Sequence, residues 1–135
     1  MVCQLILFII DVIIKDQLYL YLKMKMDIYA SIDLTSYGNY RSATDSFIFT
    51  LTNKYNIEPT KFPNTDTRYS INDNSNSGPR FGGGHDIYIG FTSNYTNFPS
   101  SAYKDVLGKG YSIFKGNNDN YNFNLKEIEV FKLIK

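Results

Sequence analysis

Short stretches of alternating apolar and polar positions run through the chain. In residues 18–28, Leu18, Leu20, Leu22, Met24, Met26 and Ile28 alternate with Tyr19, Tyr21, Lys23, Lys25 and Asp27. One side of an extended chain is then apolar and the other amphipathic or charged, as a strand with one buried face requires. Residues 46–52 put Phe47, Phe49 and Leu51 on one side and Ile48 on the other, and read as a central strand. Residues 86–91 and 126–133 have the same short, β-rich character and follow Gly- or Asn-rich sequence.

Between these segments lie Tyr37-Gly38-Asn39, the run 72–79 (NDNSNSGP) and the run 116–120 (GNNDN). Asn, Asp and Gly tolerate positive φ and Pro fixes its own, so all three read as loops. No alternation of strand and long helix is visible, and a turn or two over residues 101–107 is the helix expected. The predicted fold is mainly β (α+β): an antiparallel β-sandwich with few short helices.

The N-terminus follows a different pattern. Residues 2–14 are almost wholly apolar, interrupted by Asp11 and closed by Lys15 and Asp16, which is shorter than the roughly 20 residues of a membrane-spanning helix. No basic residue precedes the run and Gln17-Leu18-Tyr19 is a poor cleavage site for a signal peptide. A buried strand or short core helix is the expectation, with a membrane anchor as the alternative.

Composition narrows the function more than the fold. A chain of 135 residues with 43% hydrophobic side chains holds one modest core. Twelve Tyr and ten Phe beside no Trp favour strands. The net charge of +1 suggests no nucleic-acid partner. Cys3 is the only cysteine, so an internal disulfide and a cysteine-built metal site are both out of reach, and a cytoplasmic location fits. The triplet Asn94-Tyr95-Thr96 is a formal glycosylation sequon, of consequence only in the secretory pathway.

The most distinctive segment is Gly78-Pro79-Arg80-Phe81-Gly82-Gly83-Gly84-His85-Asp86-Ile87. Three consecutive glycines allow a backbone path that side chains would obstruct and let another segment approach closely. No Lys-Ser or Lys-Thr follows them and their spacing does not complete a dinucleotide fingerprint, so a phosphate loop is not indicated.

This segment closely resembles the GPTFGGGHDI signature of TLDc domains, the modules of oxidation-resistance proteins. Residues 46–53 (SFIFTLTN) are similar to the family's SFIFSLTN strand, and residues 126–131 (KEIEVF) to its closing strand. The resemblance covers residues 28–135 and makes Gly78, Pro79, Phe81, Gly82, Gly83, Gly84, His85 and Asp86 a structural motif. It implies a TLDc-like sandwich and a non-enzymatic interaction module linked to the oxidative stress response. For several members it also implies binding to the vacuolar proton-pumping ATPase. Family members usually carry a longer N-terminal portion and a Gly-Gly-Tyr step where residues 28–32 here read IYASI. Residues 1–27 are accordingly expected to be an atypical apolar segment and strand, and the domain to be truncated or replaced at its start. Arg80 stands where Thr is common, at what reads as a loop position.

Side chains with chemistry are few. His85 and Asp86 could form an acid/base or metal pair, yet no second histidine or thiolate cluster completes a site, and a structural histidine is the preferred reading. Glu127 and Glu129 lie two apart and share a strand face, as a partner-facing couple or, less favoured, as a hydrolase's carboxylates beside His85 and Asp86. Cys3 has no basic neighbour to activate it and reads as an inert thiol. Residues 91–99, with Tyr95, read equally as a recognition surface or a packed loop. The expectation is therefore a protein-binding module with no catalytic residues, metal or cofactor. Behind it stand a carbohydrate-binding sandwich and then a hydrolase.

Overall fold

The computed structural model of the chain describes the backbone of residues 5–13, 23–32, 34–114, 122–123 and 125–133, and side chains within 27–32, 34–114 and 122–123. Among these residues, ten strands form two antiparallel sheets. The first contains β1 (Leu5–Ile13), β2 (Lys23–Ala30), β4 (Phe47–Thr50), β5 (Thr60–Pro63) and β10 (Leu125–Leu133), in the order β10-β1-β2-β4-β5. The second contains β3 (Tyr40–Arg41), β6 (Ile71–Asn74), β7 (Gly78–Phe81), β8 (Ile87–Ile89) and β9 (Asn94–Tyr95), in the order β3-β6-β7-β8-β9. Helix is limited to two single 3₁₀ turns, Thr67–Tyr69 and Gly110–Ile113. The β-rich, sandwich-like expectation holds.

Alternation explains the core. Ile28 and Ala30 from β2, Ile48 from β4 and Phe62 from β5 are buried, and so are Ile71, Phe81, Ile87 and Ile89 of the second sheet. All belong to one apolar cluster, which the loop residues Phe98, Ala102, Tyr103, Ile113 and Phe114 close off. Phe62, Phe98 and Phe114 meet edge-to-face with centroids 5.0 to 5.5 Å apart, the arrangement in which one ring's positive rim meets another's negative face. Pro63 has no N–H to give a ladder, and it ends β5, an edge strand where that lack is tolerated.

Of the apolar run 2–14, residues 5–13 form β1, paired with β10 on one side and β2 on the other, while 2–4 and 14 lie outside the described residues. Of the alternating segment 18–28, residues 23–28 lie in β2, while 18–22 lie outside the described residues. The central-strand reading of 46–52 also holds, since β4 is flanked by β2 and β5. Its richer apolar side faces away from the core: Ile48 and Thr50 are buried, Phe47 and Phe49 half-buried, and Leu51 exposed. On that outer side Phe47 stacks on Tyr29 at 4.7 Å, and Lys61 Nζ sits 3.9 Å from the Phe47 ring centroid.

A loop expectation and a helix expectation are corrected. Residues 72–79 form most of a hairpin, with Asn72, Asp73 and Asn74 in β6, Gly78 and Pro79 in β7, and a turn only between them. Low strand propensity is overridden by tertiary bonds. Asp73 Oδ2 accepts the N–H groups of Thr35, at 2.5 Å, and Ser36, at 2.9 Å, together with Arg41 Nη2 at 2.8 Å. Residues 101–107 form no helical turn. Asp105 instead gathers the N–H groups of Leu107, Gly108 and Gly110 on its carboxylate, a local bonding pattern that competes with helix. The 37–39 turn is as expected, with Gly38 at φ +83°, and the 116–120 turn lies outside the described residues.

Candidate functional site

The glycine run turns the β7–β8 hairpin. Gly82 adopts φ +88°, its carbonyl accepts the His85 N–H at 3.0 Å, and His85 itself takes φ +60°. A Cβ on Gly82 would lie 1.9 Å from Asp86 Oδ2, so the left-handed backbone and the missing side chain are both needed here. The close approach expected of the glycines is made by the chain's own loop 98–103 and by Asp86.

Asp86 points inward and has no solvent exposure. Its Oδ1 accepts the Ser100 N–H at 2.5 Å, its Oδ2 the Tyr103 N–H at 3.4 Å, and its carbonyl the Thr96 hydroxyl at 2.6 Å. Burial raises the carboxyl above its ordinary range, and the N–H donors of Ser100, Tyr103 and Ala102 oppose that shift. His85 turns the other way, and its Nδ1 hydrogen-bonds the Tyr95 hydroxyl. Burial first, and then the charge of Arg80, hold the imidazole below its ordinary value. Neighbours in sequence, His85 and Asp86 do not bond each other: the carboxylate orders a loop and the imidazole joins a surface cluster.

That cluster continues across the whole second sheet. Register aligns Tyr40 with Asn72, Asn72 with Arg80, Arg80 with Tyr88, and Tyr88 with Tyr95. Opposed residues on adjacent strands share a face, so these five side chains make one row on the side away from Ile71, Phe81 and Ile87. Tyr40, Arg80, Tyr88, Tyr95 and His85 are all half-buried. Arg80 lies 5.2 Å from the Tyr88 ring centroid, Tyr88 and Tyr95 are 5.0 Å apart, and His85 is 5.7 Å from each of these two tyrosines. The hydroxyls of Tyr40 and Tyr88 donate to the carbonyls of Gly82 and Ser77, at 3.2 and 2.7 Å.

Glu127 and Glu129 sit in β10 opposite Asp11 and Ile9 of β1, in the other sheet from His85 and Asp86, and their side chains lie outside what the structure describes, as does Cys3. Thr96 and Phe98 are buried, Tyr95 joins the row, and Phe91 is exposed. Among the described residues, no three His, Cys, Asp or Glu gather as metal ligands do, and no helix is long and apolar enough to cross a membrane.

Residues 12–134 match the model of the TLDc domain family. The chain belongs to the TLDc family. No curated protein and no solved structure matches it. Within the TLDc signature, Arg80 occupies a strand rather than the expected loop, and its side chain stands at the middle of the row. Sequence reasoning missed Tyr40, Asn72 and Tyr88. Tyr88, between Ile87 and Ile89, carried a usable signal, because alternation puts it opposite the core. Tyr40 and Asn72 carried none, since β3 is two residues long and β6 reads as a loop.

Proposed function

We propose that this TLDc chain is a non-enzymatic interaction module that works in the cytoplasm by binding a protein partner. The vacuolar proton-pumping ATPase is the partner to which family resemblance points, and resistance to oxidative stress the consequence. The reading is carried by the TLDc match over residues 12–134 together with a sheet face lined by Tyr40, Arg80, Tyr88 and Tyr95. Tyr and Arg are the side chains enriched where protein surfaces bind. The bonding of His85 and Asp86 supports it: Asp86 bonds backbone N–H groups and His85 a tyrosine hydroxyl, so they are not hydrogen-bonded to each other as a base and its orienter would be.

Capture from cell lysate on the immobilised full chain tests the reading. Retention of ATPase subunits is the expected result. Their absence, under conditions where a full-length relative retains them, would overturn the proposed partner.

A further inference from the structure

Arg80 differs from the other two arginines of the chain. Arg41 is paired with Asp73 and Arg68 with Asp66, at 2.8 and 2.9 Å. Among the described residues Arg80 has no carboxylate: one amino group donates to Ser77 Oγ at 3.0 Å, and its Nε is buried without an acceptor. A guanidinium carries five donors, and this one is left largely unanswered within the fold. Next to it in the row, Asn72 is 7% exposed and its Oδ1 is likewise buried without a partner. Unsatisfied polar atoms on adjacent strands call for an explanation, and here they stand in the row between the half-buried Tyr40 and Tyr88.

We propose that this face of the second sheet docks a carboxylate side chain of a protein partner, with Arg80 forming the ion pair and Tyr40, Tyr88 and Tyr95 framing it. The proposal rests on the interaction-module reading and names the chemistry of the contact. Charge selects the occupant. Among the described residues Arg80 is the one cation in this row, which matches one carboxylate, whereas a phosphate dianion would draw on further cations, and Arg41 and Arg68 are paired with carboxylates of their own. Shape selects its source, because a row along a sheet face offers a surface to another surface, whereas small molecules are held in concave sites. The Tyr88 ring, 5.2 Å from the guanidinium, limits its hydration on that side, which strengthens a charge-assisted hydrogen bond.

The test is an NMR titration of the full chain with three probes: a blocked alanine peptide bearing one glutamate, its glutamine counterpart, and inorganic phosphate. The glutamate peptide should shift the amide resonances of Arg80, Tyr88 and Tyr95. Its affinity should fall roughly tenfold, about 1.4 kcal/mol, in Arg80→Thr, a substitution that places a good strand former in β7. His85 is the chain's only histidine, so its single ring signal gives a second readout. A bound carboxylate offsets the Arg80 charge, and the imidazole should titrate at higher pH with the peptide than without it. Equal binding of the glutamine peptide, equal binding by Arg80→Thr, tighter binding of phosphate at the same resonances, or an unmoved His85 titration would each overturn the proposal. Lysate capture that persists in Arg80→Thr while the peptide fails would leave the module reading standing and reject this face as its contact. Peptide docking without lysate capture would do the reverse.

Discussion

Asp86 Oδ1 accepts the backbone N–H of Ser100 from a position with no solvent exposure. The same carboxylate takes the Tyr103 N–H, so one buried charge orders the loop that covers Phe62 and Phe114. Asn at this position offers one carbonyl oxygen to two N–H groups, and leaving a buried donor unsatisfied costs about 1–3 kcal/mol. Asp86→Asn should be destabilised by an amount in that range when measured by denaturant unfolding at a pH where the carboxyl is ionised and both its oxygens accept.

The pH dependence of that difference has a definite sign. Burial raises the folded carboxyl above its ordinary 3.8, so between the unfolded and folded values the native state binds the proton more tightly. The Asp86 contribution is therefore fully present below 3.8 and is lost as pH rises through the folded value. The stability advantage of wild type over Asp86→Asn should narrow as pH rises through that window. A constant or widening difference in unfolding free energy would contradict the assignment.

Gly82 and Gly38 form an internal control for the glycine turn. Both are left-handed, at φ +88° and +83°. A Cβ at Gly38 meets nothing within 4 Å, whereas at Gly82 it lies 1.9 Å from Asp86 Oδ2. Gly38→Ala should thus show backbone strain alone, about 1–3 kcal/mol. Gly82→Ala should add a steric cost of about 1–3 kcal/mol, and equal losses in the two variants would show that the contact with Asp86 relaxes freely.

Asp73 holds the 35–38 turn against β6 through its carboxylate and its carbonyl, the latter accepting the Gly38 N–H at 3.1 Å. Removing one member of a buried ion pair costs about 3–5 kcal/mol, and because the Arg41 side chain keeps 22% exposure the lower end applies to Asp73→Ala. Amide exchange should accelerate most at Thr35 and Ser36, which lose their acceptor, and less at Gly38, which keeps the backbone carbonyl. Uniform acceleration across the second sheet would mean that the carboxylate supports the whole sheet rather than the turn.

What can be read from the sequence divides along physical lines. β2, β4, β8 and β10 carry β-rich runs, and the burial of Ile28, Ile87 and Ile89 follows from period two alone. In β4 the period holds, but the side with more apolar residues is the outer one, because Phe47 and Phe49 find Tyr29 and each other on the outer face. β6 is illegible, since Asn72 and Asp73 read as loop formers, and the side-chain bonds that tie Asp73 into the sheet come from Thr35 and Arg41, more than thirty positions away. The glycine signature locates a tight turn and identifies the family. It does not reveal the row on the second sheet, which is assembled by register between five strands, of which only β8 shows as a strand in the sequence.

The N-terminal strand offers the most decisive truncation. β1 lies between β10 and β2, with eight residues paired on each side, Leu5 to Val12 against β10 with a register shift between Asp11 and Val12, and Ile6 to Ile13 against β2. Deleting residues 1–13 therefore removes two ladders and leaves β10 with no neighbour, since among the described residues β2 pairs only with β1 and β4. Restoring the sheet would require β10 to re-pair directly with β2. Both strands run antiparallel to β1 and hence parallel to each other, so that ladder would be a parallel one with a different bonding pattern. Backbone hydrogen-bonding groups left unpaired away from water are costly, and a domain of this size has only about 5–15 kcal/mol of stability to lose. The truncated chain should be insoluble or lack a cooperative thermal transition, while removal of residues 1–4 alone should leave the transition sharp. Comparing soluble fraction and unfolding cooperativity for the two truncations decides the point. A soluble, cooperatively folding 14–135 chain would show that β1 is dispensable and that residues 5–13 serve another purpose, membrane attachment among them, which flotation of the full chain on lipid vesicles would then detect.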